Sequence, residues 1–191
     1  FVYSRGVCIG YSGNTGSSGG PHLHFEIRDK SGERALNGLL YPFAIKDTIA
    51  PVIRRIGILP LGGATSVNGM AGKAVIAVTD SFGKAGPVAT VHGRIGFGVE
   101  TYDFLNGSAN VCSPYTVSLS VDGRLTFRFR LDSIPFSLSG MMNSHIDYAE
   151  QVLHGHAVQK LFLDPGNRLG IYPVQVNRGA VMFDDSLVHR I

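Results

Sequence analysis

The sequence predicts a mainly β protein, and three observations carry that expectation. Val, Ile, Phe and Tyr recur along the whole chain while nine prolines and twenty-five glycines interrupt it, a composition suited to short strands and many turns. Apolar and polar residues alternate over short runs, the period of a strand with one buried face. With 44% hydrophobic and 16% charged residues among 191, the chain has enough apolar material for a packed core in one or two domains.

The elements follow in order. Residues 1–10 and 21–28 read as neighbouring strands around a Gly/Ser/Asn loop, 29–33 as a turn at Gly32, and 36–45 as the segment that closes this first unit. Lys46-Asp47-Thr48-Ile49-Ala50-Pro51 has the polar and proline content of a linker, which divides the chain into 1–45, 46–51 and 52–191. Beyond it, strands are expected over 52–59, 74–79, 88–94, 97–102, 115–121 and 125–131. Asp122-Gly123 is a hairpin signal. It sets Val117, Leu119 and Val121 opposite Leu125, Phe127, Phe129 and Leu131, with Arg124, Arg128 and Arg130 facing water. One helix is expected from Asn143 or Ser144, where Ser144 and Asp147 approximate a capping box, with Ile146, Val152 and Leu153 as its apolar stripe and Gly155 as its stop. Strands over 159–163, 169–172 and 180–183 then complete an immunoglobulin- or fibronectin-like β-sandwich.

The net charge of +3 is small, and the arginines at 54, 55, 124, 128 and 130 are scattered, so nucleic acid is not an expected partner. An anionic polymer remains compatible. No apolar stretch approaches the length that crosses a bilayer. Cys8 and Cys112 are read as free, buried thiols in preference to a cross-link. Phe97, Tyr102, Phe104 and Tyr115 are read as core, and Asp103, Asn106 and Asn110 as a solvated turn without calcium-loop spacing. The pairs His145/Asp147 and His154/His156 are two apart on a helix and do not face one another, while His92 and His189 have no evident partner.

The chemistry concentrates in Gly13-Asn14-Thr15-Gly16-Ser17-Ser18-Gly19-Gly20-Pro21-His22-Leu23-His24-Phe25-Glu26-Ile27-Arg28. Alternation on a strand points His22 and His24 to one side, with Glu26 beside them, and Leu23 and Phe25 to the opposite, apolar side. Paired imidazoles suit a zinc hydrolase, one holding the ion and the other handling protons or charge. Glu26 is better placed to accept an imidazole N–H than to act as a base. The Gly-rich loop is no phosphate cradle, since it lacks the Lys-Ser/Thr ending and leads into a strand.

This run resembles the C-terminal signature of the lysostaphin and LytM type zinc metallopeptidases, the peptidoglycan endopeptidases, over roughly the first forty-five residues. The resemblance implies His24 as a zinc ligand, His22 as a catalytic residue and Asn14, Thr15, Gly16 and Gly20 as loop residues along the substrate groove. It also implies peptidoglycan peptides as partner and a bacterial cell-envelope location, periplasmic or extracellular. Family members carry a further histidine with an aspartate four positions later, and another catalytic histidine. Here the residues four after His22, His24, His92, His145, His154 and His156 are Glu26, Arg28, Gly96, Ala149, Val158 and Lys160. The metal site is therefore expected to be incomplete, with weak or no zinc in this chain alone, as in a truncated peptidase domain beginning in mid-strand at Phe1. The alternative is a non-catalytic envelope module with a degenerate peptidase-like groove. A third reading is an interaction domain carrying a remnant of the motif.

Overall fold

In a computed structural model, residues 2–14, 19–79 and 86–191 are described. The strands are β1 (Ile27–Arg28), β2 (Arg34–Leu36), β3 (Val52–Pro60), β4 (Ser66–Val67), β5 (Ala74–Ala77), β6 (Val91–Phe104) and β7 (Val111–Cys112). They continue as β8 (Thr116–Val121), β9 (Arg124–Arg130), β10 (Ser133–Pro135), β11 (Gln159–Lys160), β12 (Val174–Gln175) and β13 (Val181–Phe183), with helices α1 (Met142–His145) and α2 (Tyr148–His154). The protein is mainly β, as expected.

Three antiparallel sheets result. The largest runs β11-β6-β3-β5, with β4, β7 and β13 also paired to β6; the second runs β12-β9-β8; the third runs β1-β2-β10. Ile58, Ile95, Phe97 and Val99 from the first sheet meet Leu119, Phe127 and Phe129 from the second in one buried cluster, the arrangement of a sandwich. Burial of apolar area across this seam drives the packing. The chain at 158–162 runs beside β6, paired with it through β11, and lays Val158 and Phe162 over the other face. A Cβ at Gly96 would lie 2.5 Å from the Phe162 ring, and one at Gly98 2.7 Å from Val158 Cγ1. Gly57 pairs with Gly98, so two glycines side by side form the trough that admits Val158.

The Asp122-Gly123 turn is formed, with φ of 50° and 77°, and β8 and β9 pair through it from Val121↔Arg124 to Thr116↔Arg130. Other expectations change. The strands expected over 88–94 and 97–102 are one strand, β6, because Ile95 and Gly96 between them remain in the ladder with β3. The single helix is two, and the N-cap of α2 is Asp147, whose carboxylate accepts the Glu150 N–H at 3.1 Å, in place of the Ser144 cap. Gly155 does end it, at φ 74°. The strand over 159–163 shrinks to Gln159–Lys160, and 169–172 forms no strand. Leu125 lies at the surface, since a register irregularity at Leu119/Ser120 moves it out of line with the core.

The N-terminal segment is stitched to the sandwich. β2 pairs with β10, Leu36 opposite Ser133 and Arg34 opposite Pro135. Asn37 donates from Nδ2 to the Leu131 carbonyl at 3.0 Å, and Arg34 reaches the Ser133 hydroxyl at 2.8 Å. Asn106, read as a solvated turn residue, accepts the Thr48 N–H at 2.8 Å and so pins the linker. Within 36–45, the segment expected to close the first unit, a 3-10 turn at Gly38–Leu40 is capped by Asn37.

Candidate metal centre

Strand β1 holds the paired-imidazole run only at its far end. Arg28 opposes Ala35, Ile27 opposes Leu36, and ahead of them, among the described residues, the one ladder contact is a bridge between Gly13 and His22. The strand expected over 21–28 is thus two residues long. The strand expected over 1–10 does not form across its described residues. The Gly13–His22 bridge closes the base of the glycine-rich loop and brings Gly13 opposite the first imidazole. Thr15 and Gly16 lie outside the described residues; Asn14 and Gly20 flank them on the two arms of the loop.

The alternation expected of the run is realised from His24 onward. Glu26 Oε1 stands 3.8 Å from His24 Nε2 and accepts the Arg28 Nε–H at 2.8 Å, so His24, Glu26 and Arg28 share one face. Arg28 is itself fixed, its guanidinium 4.6 Å above the Phe136 ring. On the other face Phe25 meets Phe43 edge to face, centroids 5.6 Å apart. Leu23 departs from its expected apolar side. It is 88% exposed, with no described residue packed over it.

His22 has a different anchor. Its Nδ1 lies 2.9 Å from the Gly20 carbonyl, which takes the Nδ1–H and leaves the lone pair on Nε2. Both imidazoles are exposed. Glu26 is hydrogen-bonded to Arg28 and stands 3.8 Å from His24 Nε2, within charge range of the ring but beyond hydrogen-bond distance. These donors fit one corner of a tetrahedral zinc site, and among the described residues no three His, Cys, Asp or Glu side chains converge to complete it.

Elsewhere, other polar clusters have structural roles. Lys73 Nζ bridges Asp147 at 2.6 Å and Glu150 at 3.0 Å, and Glu150 also meets His156 Nδ1 at 2.8 Å. Burial disfavours the Lys73 charge, yet the hydrogen bonds to both carboxylates and their charges hold its pKa above the ordinary value. Lys73 carried no signal in the sequence, because its partners lie more than seventy residues away. His145 and Asp147 do not converge, as expected: His145 is buried against Phe129, centroids 4.7 Å apart, and Tyr172. His189, for which no partner was evident, lies between Asp122 and Asp185 at 2.7 and 2.9 Å. Phe97 is core, whereas Tyr115 is at the surface, its hydroxyl donating to Asp132 at 2.5 Å. Cys8 and Cys112 are free thiols, but Cys8 is exposed and Cys112 half-buried, so neither packs as a core residue.

No protein-family model, curated protein or solved structure matches the chain. No helix among the described residues is long and apolar enough to cross a membrane.

Proposed function

We propose that the chain contributes part of the active site of a zinc metallo-endopeptidase of the lysostaphin and LytM type, which cleaves peptide cross-links of peptidoglycan in the bacterial cell envelope. The observation that carries this reading is the run Gly13 to Arg28, with its imidazoles at 22 and 24 and the carboxylate at 26. His24 is the metal ligand, with the Glu26 carboxylate 3.8 Å from its Nε2 and held there by Arg28. His22, fixed as the Nδ1–H form by the Gly20 carbonyl, presents Nε2 to accept or return a proton, or to stabilise the oxyanion of the attacked peptide once protonated. On the same reading the glycine loop, with Asn14 and Gly20 on its two arms, lies along the substrate groove. Zinc, when bound, polarises the peptide carbonyl and lowers the pKa of a coordinated water.

The remaining ligands, a histidine with an aspartate four residues on, would come from a further segment of the parent protein. The exposed apolar side chains of Val7, Ile9, Tyr11, Leu23 and Phe25 support this, because a groove wall in a folded peptidase domain would be covered there.

The test is the zinc content and cross-link cleavage of the parent protein beside His24→Ala and His22→Ala. His24→Ala should lose both metal and cleavage, and His22→Ala should keep metal while losing cleavage. Equal metal in the parent protein and His24→Ala removes the ligand assignment. A parent protein that holds no zinc and cleaves nothing favours a binding module with a degenerate groove.

A further inference from the structure

We propose that the cavity between β6, β13 and the turn that precedes β13 binds a phosphate-bearing ligand, with Arg94 and Arg178 as its cationic walls. The inference is independent of the paired histidines and of zinc. The cavity, about 390 Å³, is lined by Arg94, Asn177, Arg178, Ala180 and Met182. It is large enough for a phosphate group with an apolar portion lying on Ala180 and Met182.

Backbone geometry brings both arginines there. Gly93 has φ 83° inside β6, and a Cβ at that position would lie 2.5 Å from the Ala64 carbonyl, so only glycine permits the bend that immediately precedes Arg94. Met182 is the register partner of Arg94, which puts both side chains on one face. In the turn, Asn177 and Arg178 both adopt left-handed backbone, at φ 47° and 59°. Asparagine tolerates that conformation, but for Arg178 it costs about 1–2 kcal/mol, and residues held in this way cluster at functional sites. The turn is locked in place. The Leu163 N–H donates to the Arg178 carbonyl at 2.8 Å, and Ala180 N–H to the Asn177 carbonyl at 3.1 Å.

Charge is the second argument. Arg178 Nη2 donates to the Asp164 carbonyl at 2.8 Å and to the Leu163 carbonyl at 3.4 Å, which orients the guanidinium and leaves Nε and Nη1 without partners among the described residues. The Asp164 carboxylate does not neutralise it, being engaged by Lys160 at 2.6 Å. The Arg94 guanidinium has no partner among the described residues, and no acidic side chain lines the cavity. Two guanidinium cations that share a concave surface without a carboxylate suit one doubly charged oxyanion, Arg94 presenting a paired N–H fork and Arg178 its charge with the N–H groups of Nε and Nη1.

Titration of inorganic phosphate into the chain at low ionic strength, followed by amide NMR shifts, tests the assignment. Saturable shifts confined to residues 93–95 and 176–183 are expected, with Arg94→Gln weakening binding about tenfold or more. Arg94→Gln breaks no described side-chain contact and should keep the native spectrum. Arg178→Gln should weaken binding similarly, but it removes a turn anchor, so Arg94→Gln decides the matter if that variant unfolds. Absence of saturable shifts, binding unchanged in Arg94→Gln, or acetate competing as strongly as phosphate would overturn the proposal.

Discussion

The Tyr172 hydroxyl lies 3.2 Å from His145 Nδ1, while His145 Nε2, on a residue only 1% exposed, meets no partner among the described residues. Burial, with a smaller repulsion from Lys160, lowers the His145 pKa to about 4. An unfolded histidine titrates near 6.5. The neutral ring is thus favoured by folding, and its contribution is complete above pH 6.5 and lost as pH falls toward 4. The loss should total about 3 kcal/mol. Urea unfolding between pH 7 and 4.5 should show the decline, and His145→Leu should flatten it; an unchanged slope in that variant rules the histidine out as its source.

His189 has the opposite sign. Hydrogen bonds to Asp122, then to Asp185, raise its pKa, and both ring nitrogens must carry protons to donate to two carboxylates at once. Its contribution is full below pH 6.5 and disappears as pH rises through the folded-state value. A proton NMR titration should place the His189 midpoint above that of an ordinary histidine. A midpoint at or below the ordinary value contradicts the clasp.

Glu100 has no exposed surface and is bonded to Arg55, to the Tyr102 hydroxyl at 2.6 Å and to the Ala157 N–H at 3.3 Å. Burial alone would raise its pKa, but the bonds from Tyr102 and Arg55 prevail and lower it. Arg55→Leu should destabilise by about 2–4 kcal/mol by leaving the buried carboxylate without its cation. Arg55→Leu/Glu100→Leu should be less damaging than Arg55→Leu alone. Chemical denaturation of the three proteins checks this, and additive losses would refute it.

Gly98→Ala should cost about 1–3 kcal/mol through contact with Val158. Val158→Ala in the same protein should recover part of that loss. If Gly98→Ala is as stable as the parent chain, the close packing at 158–162 is looser than described.

Local signals were legible and distant ones were not. Asp122-Gly123 announces its hairpin because both residues tolerate positive φ, and Gly155 announces the end of α2 for the same reason. The pairing of Arg34–Leu36 with Ser133–Pro135 left no such trace, since neither three-residue segment has a pattern of its own. Asp147 stood out as part of a capping box, but in the other role, because it is itself the cap of α2, three residues beyond the Ser144 expected to cap a single longer helix. In the candidate metal centre, residue types and alternation were readable for His24, Glu26 and Arg28. The length of their strand was not, because a strand needs a partner as well as a suitable sequence. Likewise, nothing in the sequence near Arg94 or Arg178 signals that a bend at Gly93 and a left-handed turn bring them to one cavity.

The β2–β10 pairing joins residues some ninety-nine positions apart, and that separation orders events during synthesis. The early-made strand emerges long before the stretch it must join, and closing so large a loop carries an entropic cost that local hairpins avoid. The β8–β9 hairpin can form at once, whereas the amino-terminal stretch docks late. Until then its bare apolar side chains are the part of the nascent chain most open to aggregation.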